Sequence, residues 1–338
     1  MTPESLIAAT DAVPWTEPRP ICRASARSGT APAASTAPAA APAPFPVAAT
    51  SPAPNATDRL VRDVRPRGRV LAVASGKGGV GKTNVAVNVA IGLAVAGRRV
   101  LVVDADVGLA NVDLVLGRRP RTHLGHVLAG HAPLEAVVQD GPAGIHWVAG
   151  ASHLADMAAM AGPQRAALAE GLAAMERAHD FLILDLPAGI GPGVLPLVRE
   201  ADEVLLVTTP EPPAVMDAYS LLKAAQTGSA EPLGRVGLVV NMVSHRRDGR
   251  RVHQRLQATA TRFLGLEIDF LGHVFCDGHV GRAVQKQQPL ALAYPHSQAA
   301  WCLKRVSGAL LDGSQRPPRG PRRTFLRRLA NLFGGSGR

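Results

Sequence analysis

Aromatic residues make up only 4% of this 338-residue chain, whose 46% hydrophobic content is mostly alanine, valine and leucine. That scarcity disfavours an aromatic-rich β-sandwich and suits a sheet covered by helices. Cysteine is scarcer still. Cys22, Cys276 and Cys302 stand far apart with no C-x-x-C, so neither a disulfide framework nor a zinc or iron–sulfur site is encoded locally. No run of 18 apolar residues occurs, which argues against a membrane-spanning helix. The opening MTPESLIAATDAVPW lacks the basic and apolar regions of a secretory signal. These absences together predict a cytoplasmic protein in a reducing setting. Eleven scattered histidines, of which only His123 and His126 stand close, come without the acidic or cysteine company a metal site needs.

The net charge of +11 is unevenly spread. Residues 1–69 carry +3 and residues 313–338 carry +7, leaving 70–312 at about +1. A nearly neutral body with basic ends predicts no direct DNA binding by the body and a separate task for the tail. Lysine accounts for five of 37 basic residues, yet Lys77 and Lys82 share one short loop.

Residues 28–56 are dominated by Ala, Pro, Ser and Thr, so 1–67 reads as a disordered N-terminal arm. Periodic structure begins at Val70–Ala74, an apolar run followed by a glycine-rich loop and an apolar-periodic stretch to Ala96. Similar runs recur at Val100–Val103, Ile145–Val148, Phe181–Leu184, Val204–Val207, Val236–Val240 and Phe270–Phe275, each before a longer helical stretch. Strands apolar on both faces and separated by helices predict a doubly wound, mostly parallel α/β sheet over 68–312. A Pro/Gly/Arg linker at 313–321 and a helical segment at 322–333 follow.

After the first run stands Gly76-Lys77-Gly78-Gly79-Val80-Gly81-Lys82-Thr83, followed by Asn84, in the strand–loop–helix context a phosphate loop requires. Glycines let backbone N–H groups turn toward phosphate oxygens, Lys82 reaches the β/γ-phosphates and the Thr83 hydroxyl ligates Mg²⁺ directly. Lys77, at the second motif position, cannot easily fold back on its own loop. It can reach across a two-fold interface to a partner's nucleotide, like an arginine finger supplied in trans; the alternative is a solvated loop lysine. Acids at carboxyl ends of parallel strands face the ligand crevice, which singles out Asp104 and Asp106. Either could instead cap the segment that follows. Phe181–Asp185 has the form of a Walker B strand, with Asp185 holding Mg²⁺ through water. Asn241 offers an amide that can read adenine or, alternatively, cap a buried turn. No Asn-Lys-x-Asp guanine signature is present, which favours ATP over GTP.

The stretch SGKGGVGKTN resembles the deviant phosphate loop of MinD/ParA-family ATPases over roughly residues 68–311. Gly81–Asn84, Asp104–Asp113, Val240–Val243 and Ala293–Ser297 are most similar to the FlhG-type (FleN/YlxH) flagellar number regulators. The resemblance implies an ATP- and Mg²⁺-dependent homodimer in which Lys77 and Asp106 are catalytic, Asp104 and Asp106 stand near Mg²⁺ through water, Gly189 senses the γ-phosphate, and Pro210 and Glu211 lie beside the base. It also implies slow, partner-stimulated ATP hydrolysis and three partner classes: the FlhF GTPase, flagellar switch proteins or a flagellar transcription regulator. Of the D-Q-A-x-x-L-R element that stimulates FlhF, only Asp58–Arg62 stands near the expected place, without the Gln.

In the tail, Phe325, Leu326, Leu329, Ala330, Leu332 and Phe333 fall in an arc about 160° wide at ~100° per residue, opposite Arg327 and Arg328. This is the pattern of a helix lying on an anionic membrane, reversibly at the inner face of the cell membrane. The alternative is that its apolar face packs on the domain. The expected function is flagellar number or placement; MinD-type division-site selection, a ParA-type DNA partition protein and a non-catalytic scaffold gated by ATP stand beside it.

Overall fold

The computed structural model describes residues 68–106, 111–123, 126, 134–150, 173–227 and 232–313. The expected arm at 1–67, the linker beyond Gly313 and the membrane segment with Phe325, Leu326, Arg327, Arg328, Leu329, Leu332 and Phe333 lie outside them.

The apolar runs form strands. They are β1 (Arg69–Ser75), β2 (Val100–Asp104), β4 (His146–Val148), β5 (Phe181–Ala188), β6 (Glu203–Thr208), β7 (Arg235–Val243) and β8 (Ile268–Phe275). A two-residue β3 (Gln139–Asp140) completes an eight-stranded sheet ordered β3-β4-β2-β5-β1-β6-β7-β8. Only β3 runs antiparallel, closing back on His146 and Trp147. Two residues are too few for a periodic signal, so β3 had no trace in the sequence. The other pairs are parallel, as expected for strands buried on both faces.

Helices connect the strands: α1 (Lys82–Val95), α2 (Val112–Leu116), α3 (173–178), α4 (Leu195–Glu200), α5 (Pro212–Thr227), α6 (Arg246–Leu264), α7 (Gly278–Gln285), α8 (Leu290–Ala293) and α9 (Gln298–Gly313). Two apolar clusters form the core. One unites Leu182, Leu206 and Leu238 with Leu221 of α5 and Leu256 of α6. The other unites Val73, Ile183 and Val239 with Ile91 of α1 and Leu303 of α9. Because sheet and α9 both contact it, α1 is apolar nearly all round. Its buried Asn88 is satisfied by donating to the Asn84 carbonyl and accepting from the Ala291 N–H.

Two strands run past their apolar cores. β5 continues to Ala188 and β7 to Val243, which places Asp185 and Asn241 within strands instead of just after them. Parallel register sets Asp104 directly opposite Asp185, whose other neighbour is Val73 of β1.

Candidate functional site

The loop between β1 and α1 is shaped by close approaches. Gly81 has a left-handed backbone (φ 85°), and a Cβ there would lie 2.4 Å from the Asn241 Nδ2. Any other residue meets both obstacles. At Gly76 a Cβ would fall 2.1 Å from the backbone of Asp217 in α5, so this glycine admits a helix as well as opening the loop. Gly78 and Gly79 are exposed with open space above them, and Val80 is buried.

Behind this cradle the polar groups hold one another. The Lys82 ammonium stands 2.9 Å from Asp185 Oδ1, and the Thr83 hydroxyl donates to Asp185 Oδ2 at 2.6 Å. All of Asp185 is buried, and burial pushes its carboxyl above the ordinary value. The Lys82 charge and the Thr83 hydroxyl oppose that rise, whereas Asp106 adds to it. Three strands along the sheet from Asp185, Asn241 of β7 donates from Nδ2 to the Val80 carbonyl at 2.8 Å. Through this contact the Asn241 amide clamps the phosphate loop.

Asp104 likewise spends its oxygens on the chain. It accepts from the backbone N–H of Asp106 at 3.1 Å, Asn111 at 3.1 Å and Val112 at 3.2 Å, pinning the start of α2. Burial pushes its pKa up to about 6, and the charge of Asp185 adds to the rise, against the pull of those N–H groups. Asp106 is half-buried beside this pair.

Lys77 points away from its own loop. Its Nζ meets Glu211 Oε2 at 2.9 Å, with both side chains substantially exposed. Glu211, expected beside the base, thus holds the candidate trans lysine in the single chain, and Pro210 sits half-buried before it. At the neighbouring Thr209 the hydroxyl is buried without a partner among the described residues. Gly189, at the end of β5, donates its N–H to the Ser75 carbonyl at 2.8 Å, coupling the segment after Asp185 to the root of the phosphate loop.

Four links were not readable from the motifs: Gly76 with α5, Glu211 with Lys77, Asn241 with Val80 and Gly189 with Ser75. Each joins segments far apart in the sequence, and the order of the strands that carry those segments brings them together. The assembled chemistry suits a nucleoside triphosphate with Mg²⁺. It offers an open glycine cradle, a buried ammonium, and a hydroxyl and carboxylate 2.6 Å apart as hard oxygen ligands.

A family model described as "ParA: NUBPL iron-transfer P-loop NTPase" matches residues 67–311. The antiactivator FleN of Pseudomonas aeruginosa is 39% identical over 263 residues, covering 77% of this chain and 93% of FleN. The flagellum site-determining protein YlxH of Helicobacter pylori is 29% identical over 271 residues, covering 79% of this chain and 91% of YlxH. Among solved structures, the septum site-determining protein MinD of Pyrococcus horikoshii, complexed with Mg-ADP, superposes with a TM-score of 0.59 at 23% identity, covering 73% of this chain and 98% of that one.

Proposed function

The chain belongs to the ParA/MinD family of P-loop NTPases, and from that premise we propose that it is an ATP-dependent, dimerising, membrane-associating ATPase that regulates flagellar number or placement. The observation carrying this reading is the Lys82–Asp185–Thr83 cluster beneath an open phosphate loop, in a chain that aligns with nearly the whole of FleN.

Lys82 and the N-terminus of α1 offer positive charge to the triphosphate, with Gly76 to Gly81 forming the cradle. The Thr83 hydroxyl would ligate Mg²⁺ directly and Asp185 through water; the ion, when bound, neutralises phosphate charge and polarises the terminal phosphoryl group. Asp106 positions or polarises the attacking water, and Asp104 holds the backbone of Asp106 and the start of α2 in place beside it. Lys77 leaves Glu211 and reaches the nucleotide of a second copy, which makes hydrolysis depend on dimerisation. The amphipathic segment at Phe325–Phe333 then binds anionic lipid weakly in one copy and firmly in two, through effective concentration. Switch proteins, a flagellar transcription regulator or the FlhF GTPase are the partners this reading names. Iron transfer is not proposed, because no C-x-x-C or comparable pair supplies thiolates.

The test replaces the native protein in cells by Lys82→Ala and counts flagella. A changed number or position with normal division supports the proposal; misplaced septa with normal flagella would assign the protein to division-site selection. In solution, Asp106→Ala with ATP should accumulate a dimer that co-sediments with anionic vesicles. Wild-type turnover by that variant would move the water-activating role elsewhere.

A further inference from the structure

The near-neutrality of residues 70–312 conceals a segregation of charge. α6 carries Arg246, Arg247, Arg250, Arg251, Arg255 and Arg262 against the single acid Asp248, a local charge of +5, so the rest of that domain stands at −4. Asp248 is already committed, accepting the His245 N–H at 2.9 Å as part of the helix cap. Val252, Leu256 and Ala260 face the core, and at about 100° per residue the arginines spread over the opposite half of the helix. The 19-residue helix is about 28 Å long.

This arrangement works against the helix itself. Arg246 and Arg247 occupy its first turn, where the macrodipole is positive and acids are preferred. Arg246–Arg250, Arg247–Arg251 and Arg251–Arg255 are like-charge pairs four residues apart, each destabilising. Among the described residues no carboxylate pairs with Arg246, Arg247, Arg250 or Arg251. A sequence that breaks a local rule repeatedly on one surface has a compensating use for that surface.

The location indicates the use. At its far end α6 exposes Phe263, 54% accessible, with the Arg262 guanidinium 5.2 Å over its ring. The chain then turns into β8, where Asp269 Oδ2 accepts from Arg235 at 2.6 Å. The same Arg235 donates to the Gly313 carbonyl at 2.9 Å. The tail therefore leaves the domain close to where α6 ends. At the other end, Arg305 of α9 joins Arg246 and Arg250 around His273, on the open edge strand β8, where burial and these three charges hold the imidazole below its ordinary value. Cations along one face of a 19-residue helix, with an exposed aromatic ring at the end where the tail leaves the domain, fit an anionic layer with an apolar interior better than a run of phosphates alone.

We infer that the arginine face of α6 is a second membrane-docking surface, lying on anionic lipid and fixing the orientation of the ATPase domain on the bilayer. This rests on the proposed membrane reading of the tail, and the experiment separates the two. Full-length protein with ATP is titrated with phosphatidylcholine vesicles containing 0–40% phosphatidylglycerol. Arg247→Gln/Arg251→Gln/Arg262→Gln should bind the anionic vesicles at least ~10-fold more weakly, given roughly 1 kcal/mol per arginine at such a surface. On pure phosphatidylcholine it should match the native protein. Its unfolding midpoint should hold or rise, since like-charge repulsion is relieved, which sets the loss apart from misfolding. Phe325→Glu/Leu329→Glu should leave a weak, salt-sensitive binding that the triple Gln change then abolishes. Native affinity in the triple variant overturns the inference, even if the tail variant fails to bind and so upholds the tail reading. A native protein that binds no vesicle overturns both. Loss of duplex DNA binding in the triple variant, with vesicle binding intact, overturns it as well and gives the surface to nucleic acid.

Discussion

The phosphate-loop end of the sheet and the outer face of α6 handle charge in opposite ways. Around the loop, each side chain with a sequence-derived role spends its polar atoms within the chain: Lys82 and Thr83 on Asp185, Asn241 on Val80, Asp104 on three backbone N–H groups. On α6, Arg246, Arg247, Arg250, Arg251 and Arg262 are exposed with one acid among them, already used in the cap. The first region is organised before its ligand arrives, and a nucleotide has to displace internal partners to enter. The second is held together by the apolar side of its helix in spite of its polar side, and an external anion relieves it. Pairing inside the chain therefore accompanies precision of geometry, whereas unrelieved charge accompanies recognition of an extended surface.

The largest expected effect comes from breaking the interlocked region at its centre. Lys82→Ala removes the cation from a buried carboxylate whose side chain is 1% exposed. Leaving one member of a buried pair costs about 3–5 kcal/mol. Because Asp185 is already pushed toward its neutral form, protonation should recover part of that loss, so the destabilisation is greater at pH 8 than at pH 5. Binding of a fluorescent ATP analogue should be lost at both pH values. Retained nucleotide affinity would remove the phosphate-loop assignment.

Next in size is the pH dependence that Asp104 imposes. Its folded-state pKa of about 6 lies above the unfolded value of 3.8. The folded state thus holds a proton that the unfolded state has released between these limits. Stability should fall as pH rises from about 4 to about 6, by at most ~3 kcal/mol, and stay level above that. Chemical denaturation of the native protein and of Asp104→Asn across this range isolates the contribution: the native curve should carry the extra downward slope. Parallel curves would show that the carboxyl titrates normally.

Asn241→Ala sharpens the comparison at about tenfold in affinity. Since the amide holds the Val80 carbonyl at 2.8 Å, its removal should loosen the loop and weaken ATP and inorganic triphosphate alike. Weakening of ATP alone, with triphosphate affinity intact, would assign adenine reading to this residue.

What the sequence made legible follows the range of the interactions. Val70–Ala74 followed by Gly76–Thr83 announces strand, loop and helix, because strand run, glycines and lysine lie within fifteen residues and obey local rules. Asp104 and Asp185 were legible as acids closing apolar strands; that they stand opposite each other was not, since it depends on β2 and β5 being neighbours. The charge sum over 70–312 misled by averaging. It placed the body near neutrality and gave no sign that one helix holds +5, because an average over 243 residues loses where each charge points. Periodicity within Arg246–Leu264 alone contains the arginine face, but its significance comes from the position of α6 near the sheet edge and the chain's exit.

The smallest expected effect on the folded chain concerns Lys77. Its pairing with Glu211 is solvent-exposed, with side chains 40% and 51% accessible, so water screens it and stability should change by less than about 1 kcal/mol in either Lys77→Ala or Glu211→Gln. A large functional change from so small a structural one would be the signature of a group that works outside its own chain. Lys77→Ala should bind ATP as a monomer about as tightly as the native protein, yet fail to dimerise and hydrolyse. Glu211→Gln should act in the opposite sense, because the lysine no longer has an internal carboxylate to leave; dimerisation measured by light scattering should then require less ATP. If Lys77→Ala dimerises normally with ATP, the lysine is a solvated loop residue and the trans assignment fails. If Glu211→Gln dimerises no more readily while Lys77→Ala cannot dimerise at all, the lysine works across the interface but Glu211 does not restrain it.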